Sequence, residues 1–200
     1  LMSNSYYEID TVTQNGVNAA RRDGLYAVQF NDWMVGGKVA LDIANYGGSL
    51  APVSANTYSI TTAQGMKDLL AFAGNPNYTF QIDSDIDMTA VPGYAIADVN
   101  GQLLGQGFTI SGVDINLAGI QQAGFIGHVG ASGVVDGVKL SAPLVSGGME
   151  AGGLVGLNEG VVSNSSITGG SVSGTDLVGG LVGWNRGSIS FGYADAVTVN

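Results

Sequence analysis

Cysteine is absent from the 200-residue sequence, so a disulfide framework and a thiolate metal site are both excluded. Proline occurs only four times, which argues against a proline-rich stalk. The sequence has only six basic residues and 16 acidic ones, and this excess of negative charge argues against nucleic acid or an anionic membrane as a partner. There is no secretory signal peptide and no apolar run of membrane-spanning length. We expect a chain that is not membrane-embedded and interpret it as a fragment of a longer protein whose targeting signals lie elsewhere.

Glycine is the residue in excess, at 33 of 200 positions, which is roughly double its usual share. The hydrophobic fraction of 45% is large enough to form a core, whereas charged residues make up only 11%. Since proline is scarce, this much glycine does not indicate a flexible or proline-rich linker. It predicts many tight turns between short strands.

A five-residue glycine-rich motif recurs in the second half of the chain. GGLVG occupies residues 152–156 and again residues 179–183, which lie 27 positions later. A weaker copy, AGFIG, occupies residues 123–127. The positions that we assign to the repeat are Gly124, Gly127, Gly153, Leu154, Gly156, Asn158, Gly180, Leu181, Gly183 and Asn185.

The repeat also suggests a register for the chain before the GGLVG motifs. SGVDI at residues 111–115 resembles DGVKL at residues 136–140, with an offset of 25. This alignment predicts one column of equivalent positions with steps of 25, 27 and 27, made of Ile115, Leu140, Ile167 and Ala194.

A period of 25–29 residues is too short for a βαβ unit, and the segments between glycines are short, β-branched and alternating. The L-x-x-L-x-L pattern of a leucine-rich repeat is missing, and a propeller needs blades of about 40 residues. We therefore predict an all-β fold, a right-handed parallel β-helix with coils of about 27 residues and about three short strands per coil. Asn158 and Asn185 should form a ladder, and glycines should provide positive φ at corners and close approach of coils.

One segment has the periodicity of a helix. Residues 61–75 place apolar side chains at helical spacing, with Thr62 as the N-cap and Gly74 as the stop. We predict a short helix that covers the start of the coil. We divide the chain into residues 1–56, an irregular β-rich segment or preceding coils, and residues 57–200, the β-helix.

These motifs resemble the GLUG repeat of bacterial surface proteins. The glycine-leucine elements on a period of about 27 residues carry the resemblance, together with the strand, helix and DID-containing lead-in of residues 58–88. Residues 105–112 (GQGFTISG) resemble the glycine-rich coil of the family, although Gln106 departs from its pattern. The resemblance covers about residues 57–200.

GLUG repeats occur in filamentous-haemagglutinin-like exoproteins of two-partner secretion and in non-catalytic parts of some bacterial IgA-cleaving peptidases. The resemblance therefore implies a structural or binding segment of a large adhesin that is secreted to the bacterial cell surface. It implies a role in cell adhesion, aggregation or biofilm formation and no enzymatic activity. The expected partners are a host-cell or matrix glycan or protein and, for the full-length protein, the outer-membrane transporter of two-partner secretion.

The strongest chemical candidate is the acidic run at Asp83, Asp85 and Asp87. Alternate residues of an extended strand project from one face, so the three carboxylates would repel unless they were solvated, protonated or bridged by a cation. Ca²⁺ takes several oxygen ligands and would suit such a site. A solvated outer face is the alternative, and no other cofactor is expected.

Other residues suggest two alternative functions. Trp33, Trp184 and Tyr193 are candidates for stacking on sugar rings in a discrete glycan- or host-protein-binding module, or for packing in core and turns. A polysaccharide lyase or glycosidase would need paired acids supported by basic side chains. The single histidine, His128, is interpreted as a structural residue in a turn. We assign no catalytic residue.

Overall fold

The computed structural model describes residues 11–14, 17–21, 42–117 and 119–200. Within these ranges the chain forms 25 short strands and one α-helix, and most strands stack in parallel. The predicted all-β parallel β-helix is confirmed. The helix is too short to cross a membrane, and the described residues contain no longer apolar one.

The first described elements lead into the coil. Strands β1 and β2 form an antiparallel hairpin, and a 3₁₀ turn precedes a second antiparallel hairpin of β3 and β4. Strand β4 then pairs in parallel with β5, and this pairing starts the stack. The elements are β1 (Thr11–Gln14), β2 (Val17–Arg21), the 3₁₀ turn (Ile43–Tyr46), β3 (Ala51–Ser54), β4 (Thr57–Ile60), β5 (Thr79–Ile82) and β6 (Ile86–Asp87). Ile43 and Leu50 lie in the same core as the coils that follow.

The predicted helix is present as α1 (Ala63–Leu69) and is shorter than expected. Thr62 is its N-cap, because its side chain accepts a hydrogen bond of 3.1 Å from the backbone N–H of Gly65. The chain after Leu69 continues in turns up to Gly74. Met66 and Leu69 are fully buried, so the helix covers the apolar start of the stack as predicted.

Four stacked coils follow, and each complete coil contains five short strands. The first coil contains β7 (Ile96–Val99), β8 (Gln102–Leu104), β9 (Thr109–Ser111), β10 (Asp114–Asn116) and β11 (Gln122–Ala123). The second contains β12 (Ile126–Val129), β13 (Val134–Asp136), β14 (Lys139–Ser141), β15 (Leu144–Ser146) and β16 (Glu150–Gly152). The third contains β17 (Val155–Asn158), β18 (Val161–Ser163), β19 (Ser166–Thr168), β20 (Ser171–Ser173) and β21 (Leu177–Gly179). The fourth contains β22 (Val182–Asn185), β23 (Ser188–Ser190), β24 (Tyr193–Asp195) and β25 (Thr198–Val199).

The expectation of about three strands per coil is wrong, because left-handed corners divide each coil into shorter pieces. One such corner follows β14, where Ala142 has a φ of 47°, and the equivalent corner after β19 is Gly169, at 71°. A second corner follows β13 at Gly137, with a φ of 67°, and its equivalent after β18 is Asn164, at 49°. A strand cannot continue through a residue in this conformation, so most strands are only three or four residues long.

The register of the coils is partly as predicted. Leu140, Ile167 and Ala194 form one column of paired positions with steps of 27, which confirms that part of the alignment. Ile115 does not belong to this column, because Leu140 pairs with Ile110, and Ile115 pairs with Val145.

The alignment of residues 111–115 with residues 136–140 was therefore wrong. Gly112 and Gly137 both occupy left-handed corners, with φ values of 68° and 67°. The two corners occupy different positions of the coil, because Gly112 follows β9 and Gly137 follows β13. The two segments look alike because each carries the glycine that such a corner favours, followed by a buried valine.

The core consists of columns in which like residues stack on like. One column contains Ile110, Leu140 and Ile167, and each of these side chains is fully or almost fully buried. A parallel column contains Leu103, Val135 and Val162. These columns hold the stack together because each aliphatic side chain packs on the equivalent ones above and below it, about 4.8 Å away.

Candidate functional site

The GGLVG motif lies where β16 turns into β17, and its glycines permit close backbone approach. A Cβ atom at Gly156 would lie 2.7 Å from the carbonyl oxygen of Gly127 in the preceding coil. A Cβ atom at Gly124 would lie 2.8 Å from the carbonyl oxygen of Gly152. Leu154, between these glycines, is fully buried. The predicted close approach of coils is therefore confirmed for this motif.

The second copy of the motif repeats this arrangement less tightly in places. A Cβ atom at Gly183 would lie 2.8 Å from the backbone nitrogen of Ala151, whereas one at Gly180 would lie 3.0 Å from its nearest neighbour, the Ala194 Cβ atom. Leu181 packs against the core while remaining partly exposed. The glycines with positive φ are found at other corners, such as Gly137, and none of them belongs to the two GGLVG motifs.

Asn158 and Asn185 form the predicted ladder. The Asn158 Nδ2 atom donates a hydrogen bond of 2.7 Å to the Asn185 Oδ1 atom, and its own Oδ1 atom accepts one of 3.1 Å from the Gly160 N–H. Asn158 is completely buried, whereas Asn185 is exposed at the last coil. In the two preceding coils Val129 and Val99 occupy the equivalent positions. The ladder is therefore a polar replacement of an aliphatic column, and its role is structural.

The acidic run does not form one strand face. Strand β5 ends at Ile82, the chain bends at Ser84, and β6 contains only Ile86 and Asp87. The Asp85 Oδ1 atom accepts a hydrogen bond of 2.8 Å from the Thr109 N–H of the next coil.

Asp87 also has a local partner. Its Oδ1 atom accepts hydrogen bonds from the hydroxyl and the backbone N–H of Thr89, and these lower the pKa of the Asp87 carboxyl. Asp83 is exposed. Over the described ranges, no three histidine, cysteine, aspartate or glutamate side chains are grouped to hold a metal ion. The structure therefore gives two of the three predicted Ca²⁺ ligands a role in capping backbone N–H groups.

The candidate aromatic residues are exposed but separated. Trp184 lies on β22, is 39% exposed, and has the guanidinium carbon of Arg186 at 5.2 Å from its ring centre. Tyr193, which is 58% exposed, lies on β24 in a different sheet. Phe191, which the sequence analysis did not select, is 85% exposed at a left-handed corner. Trp33 lies outside the described residues.

A chain of four ionisable side chains, called the charge chain below, crosses the stack, one from each successive coil. Asp98 lies on β7, His128 on β12, Glu159 directly after β17 and Arg186 directly after β22. The His128 Nδ1 atom donates to the Asp98 Oδ1 atom at 2.9 Å, because a carboxylate can only accept. The His128 Nε2 atom lies 3.4 Å from the Glu159 Oε2 atom, and the Glu159 Oε1 atom lies 2.9 Å from Arg186 Nη1.

His128 is partly buried and lies between the carboxylates of Asp98 and Glu159. The hydrogen bond to Asp98, together with the negative charges of Asp98 and Glu159, raises the pKa of His128 despite the opposing effect of partial burial. The prediction that His128 lies in a turn is wrong, since it belongs to strand β12 and pairs in register with Asp98. The repeat pattern does not predict this group, because Asp98 and His128 are 30 positions apart and this spacing departs from the period of the GGLVG repeat.

Comparisons with known proteins give a sequence relative and a structural one. No protein-family model matches the chain. Halomucin of Haloquadratum walsbyi is 31% identical over 126 residues, a match that includes 58% of this chain and 1% of the length of halomucin. A crystal structure of a protein from Bacteroides ovatus, assigned as a candidate immunoglobulin A1 protease, is 13% identical, with a TM-score of 0.39 over 74% of this chain and 76% of that one. The chain is thus similar to a short stretch of a much longer protein.

Proposed function

We propose that this chain is a non-catalytic structural segment of a large secreted adhesin that acts at the cell surface. The observation that carries the proposal is the stack of four coils, whose cross-coil contacts are mainly main-chain hydrogen bonds and aliphatic columns. Such a stack rises by about 4.8 Å per coil and so forms a rod. A rod of repeated coils suits the part of an adhesin that holds a binding region away from the cell.

The similarity to halomucin supports a surface location. Its name describes a mucin, and the matched stretch is a small part of a very long chain. The resemblance to GLUG repeats adds the expectation of secretion through an outer-membrane transporter. A transporter gene next to the full-length gene would support two-partner secretion, and its absence from the genome would count against that route.

The exposed aromatic residues favour a second candidate function, a binding module for glycans or host proteins. Trp184 and Tyr193 are exposed in the last described coil, and the Arg186 guanidinium lies over the Trp184 ring. Aromatic rings stack well on sugars, so these two residues are the first to test.

A glycan array of the purified chain, with and without Ca²⁺, separates the two functions. A rod segment is expected to give no saturable signal. Saturable binding that is lost in Trp184→Ala or Tyr193→Ala, but kept in the control Leu144→Ala, would favour the module instead. Leu144 is a suitable control because it is 49% exposed and not aromatic. Release of products from acidic polysaccharides would overturn the non-catalytic assignment.

A further inference from the structure

The four-membered charge chain alternates in sign along the axis of the stack when His128 is protonated. Asp98 and Glu159 are then anionic, and His128 and Arg186 are cationic, so each charge lies next to its opposite in the neighbouring coil. The contacts join four consecutive coils that are also connected through backbone bonds, aliphatic columns and side-chain hydrogen bonds such as the asparagine ladder. No other side chain of the described residues is as well placed to sense pH, because His128 is the single histidine of the sequence.

The neutral form of His128 fits this environment poorly. With Nδ1 donating to Asp98, the Nε2 atom of a neutral ring presents a lone pair toward the Glu159 carboxylate, 3.4 Å away. This Nε2 atom is buried and has no hydrogen-bond partner among the described residues. Two carboxylates would then face one uncharged ring, and only Arg186 would offset them. Protonation gives Nε2 a hydrogen to direct at Glu159 and restores the alternation.

The surroundings of the ring contain few other polar groups that would compensate. Asn100 donates to the second oxygen of Asp98 at 3.1 Å, which orients that carboxylate toward the ring. Leu157, the residue of β17 that pairs with His128, is buried and apolar. The titratable or charged groups around His128 are therefore Asp98 from β7, Glu159 after β17 and, through Glu159, Arg186 after β22.

We infer that Asp98, His128, Glu159 and Arg186 form a proton-operated clamp between coils, which tightens the stack when His128 is protonated and loosens it as rising pH removes that proton. The sign follows from linkage. A histidine that is easier to protonate in the folded chain than in the unfolded one stabilises the fold fully below its unfolded pKa of about 6.5, and this stabilisation is lost as pH rises through the folded pKa.

The direct test is NMR titration of the ring of His128, whose signal needs no assignment because the sequence has one histidine. We expect a midpoint above about 6.5 in the folded protein and a lower one in concentrated urea. Asp98→Asn and Glu159→Gln should each lower the folded midpoint. The matched control is Asp114→Asn, which also removes one negative charge, from an exposed residue of β10 that does not belong to the charge chain.

Thermal unfolding gives an independent readout. From about pH 5.5 to about pH 8.5 the wild-type Tm should fall by about 3 °C more than the Tm of His128→Gln. Equal pH dependence of the two proteins would overturn the proposal. So would a folded midpoint at or below the urea value, or one that shifts no more in Asp98→Asn and Glu159→Gln than in Asp114→Asn. If His128→Gln fails to fold, the midpoints of the two carboxylate variants still decide the question.

Discussion

Glycine residues have two distinct roles in the described residues, close backbone approach and positive φ, and Gly112 and Gly170 combine both. Those of the GGLVG motifs allow neighbouring backbones to approach more closely than a Cβ atom permits, as at Gly153 and Gly156. Those of the left-handed corners, such as Gly169, provide positive φ. A larger residue at a glycine of the first kind, in a GGLVG motif, would destabilise the fold through steric overlap. At a glycine of the second kind, in a left-handed corner, it would destabilise the fold through backbone strain.

The first kind is tested by comparing Gly153 with its repeat partner Gly180. A Cβ atom at Gly153 would overlap Ile167 Cδ1 and lie 2.5 Å from the Gly180 carbonyl oxygen, whereas the nearest atom to one at Gly180 is 3.0 Å away. Gly153→Ala should therefore cost about 2–3 kcal/mol of unfolding free energy, and Gly180→Ala about 1 kcal/mol or less. Urea unfolding of both variants measures the difference. Equal costs would show that the contacts of Gly153 do not limit packing.

The second kind is tested at Ala142, an exposed residue with a φ of 47°. Its equivalent one coil later is Gly169. Ala142→Gly should stabilise the fold by about 0.5 kcal/mol, since relief of left-handed strain outweighs the greater freedom of glycine in the unfolded chain.

A control for Ala142 is Ala194→Gly, within strand β24, which should destabilise by about 0.5–1 kcal/mol. Thermal unfolding reports both changes. A loss of stability in Ala142→Gly of the same size as in Ala194→Gly would contradict the strain argument.

Each strand of the coils is too short to be stable alone and depends on its neighbours above and below. Strand β18, for example, contains three residues and hydrogen-bonds to β13 on one side and β23 on the other. Short strands of this kind gain their stability from the stack. Side chains that join neighbouring coils, such as those of the asparagine ladder, therefore affect the stability of whole strands.

Asn158 is a fully buried link of this kind. Asn158→Ala leaves the Gly160 N–H without its side-chain acceptor in a buried position and removes the bond to Asn185, so we expect a loss of about 2–3 kcal/mol. Asn185→Ala, at the exposed end of the ladder, should cost about 1 kcal/mol or less. Urea unfolding measures both. A cost for Asn185→Ala as large as that for Asn158→Ala would show that burial does not decide the strength of the ladder.

The features that repeat at constant spacing could be predicted from the sequence, and the others could not. The GGLVG corners, the asparagine ladder and the column from Leu140 to Ala194 follow from the constant period, and α1 follows from its own local pattern. The first coil differs. Most of its strands precede their partners in the second coil by more residues than the period of the GGLVG repeat, and Asp98 and His128 are one such pair. The charge chain crosses this irregular step, so no constant period connects its members.

The four described coils form a one-dimensional stack, in which each coil contacts mainly the next. Strands β15 and β20 are one repeat period apart in register, as are β16 and β21. Within this part of the stack, a segment of that length is therefore one coil. Removing one coil should shorten the stack without changing its pattern.

Deletion of residues 148–174 tests this. Thr175 would then follow Gly147 in the way it now follows Gly174, because the N–H groups of Gly147 and Gly174 occupy equivalent positions in the stack. We expect a folded β-helix with a lower Tm and an unchanged circular dichroism signal per residue. Deletion of residues 148–161, half a period, should break the register and abolish cooperative unfolding. Similar spectra and melting for the two deletions would contradict the stack description.

The coil spacing also determines how such a chain would respond to being pulled. Because each coil is joined mainly to its neighbours, tension applied to the two ends would detach coils one at a time from an exposed face. Each detached coil, about 27 residues long, would add about 90 Å of extended chain before the next coil unfolds. A segment built this way would extend in steps under load, and each step would dissipate part of the mechanical work.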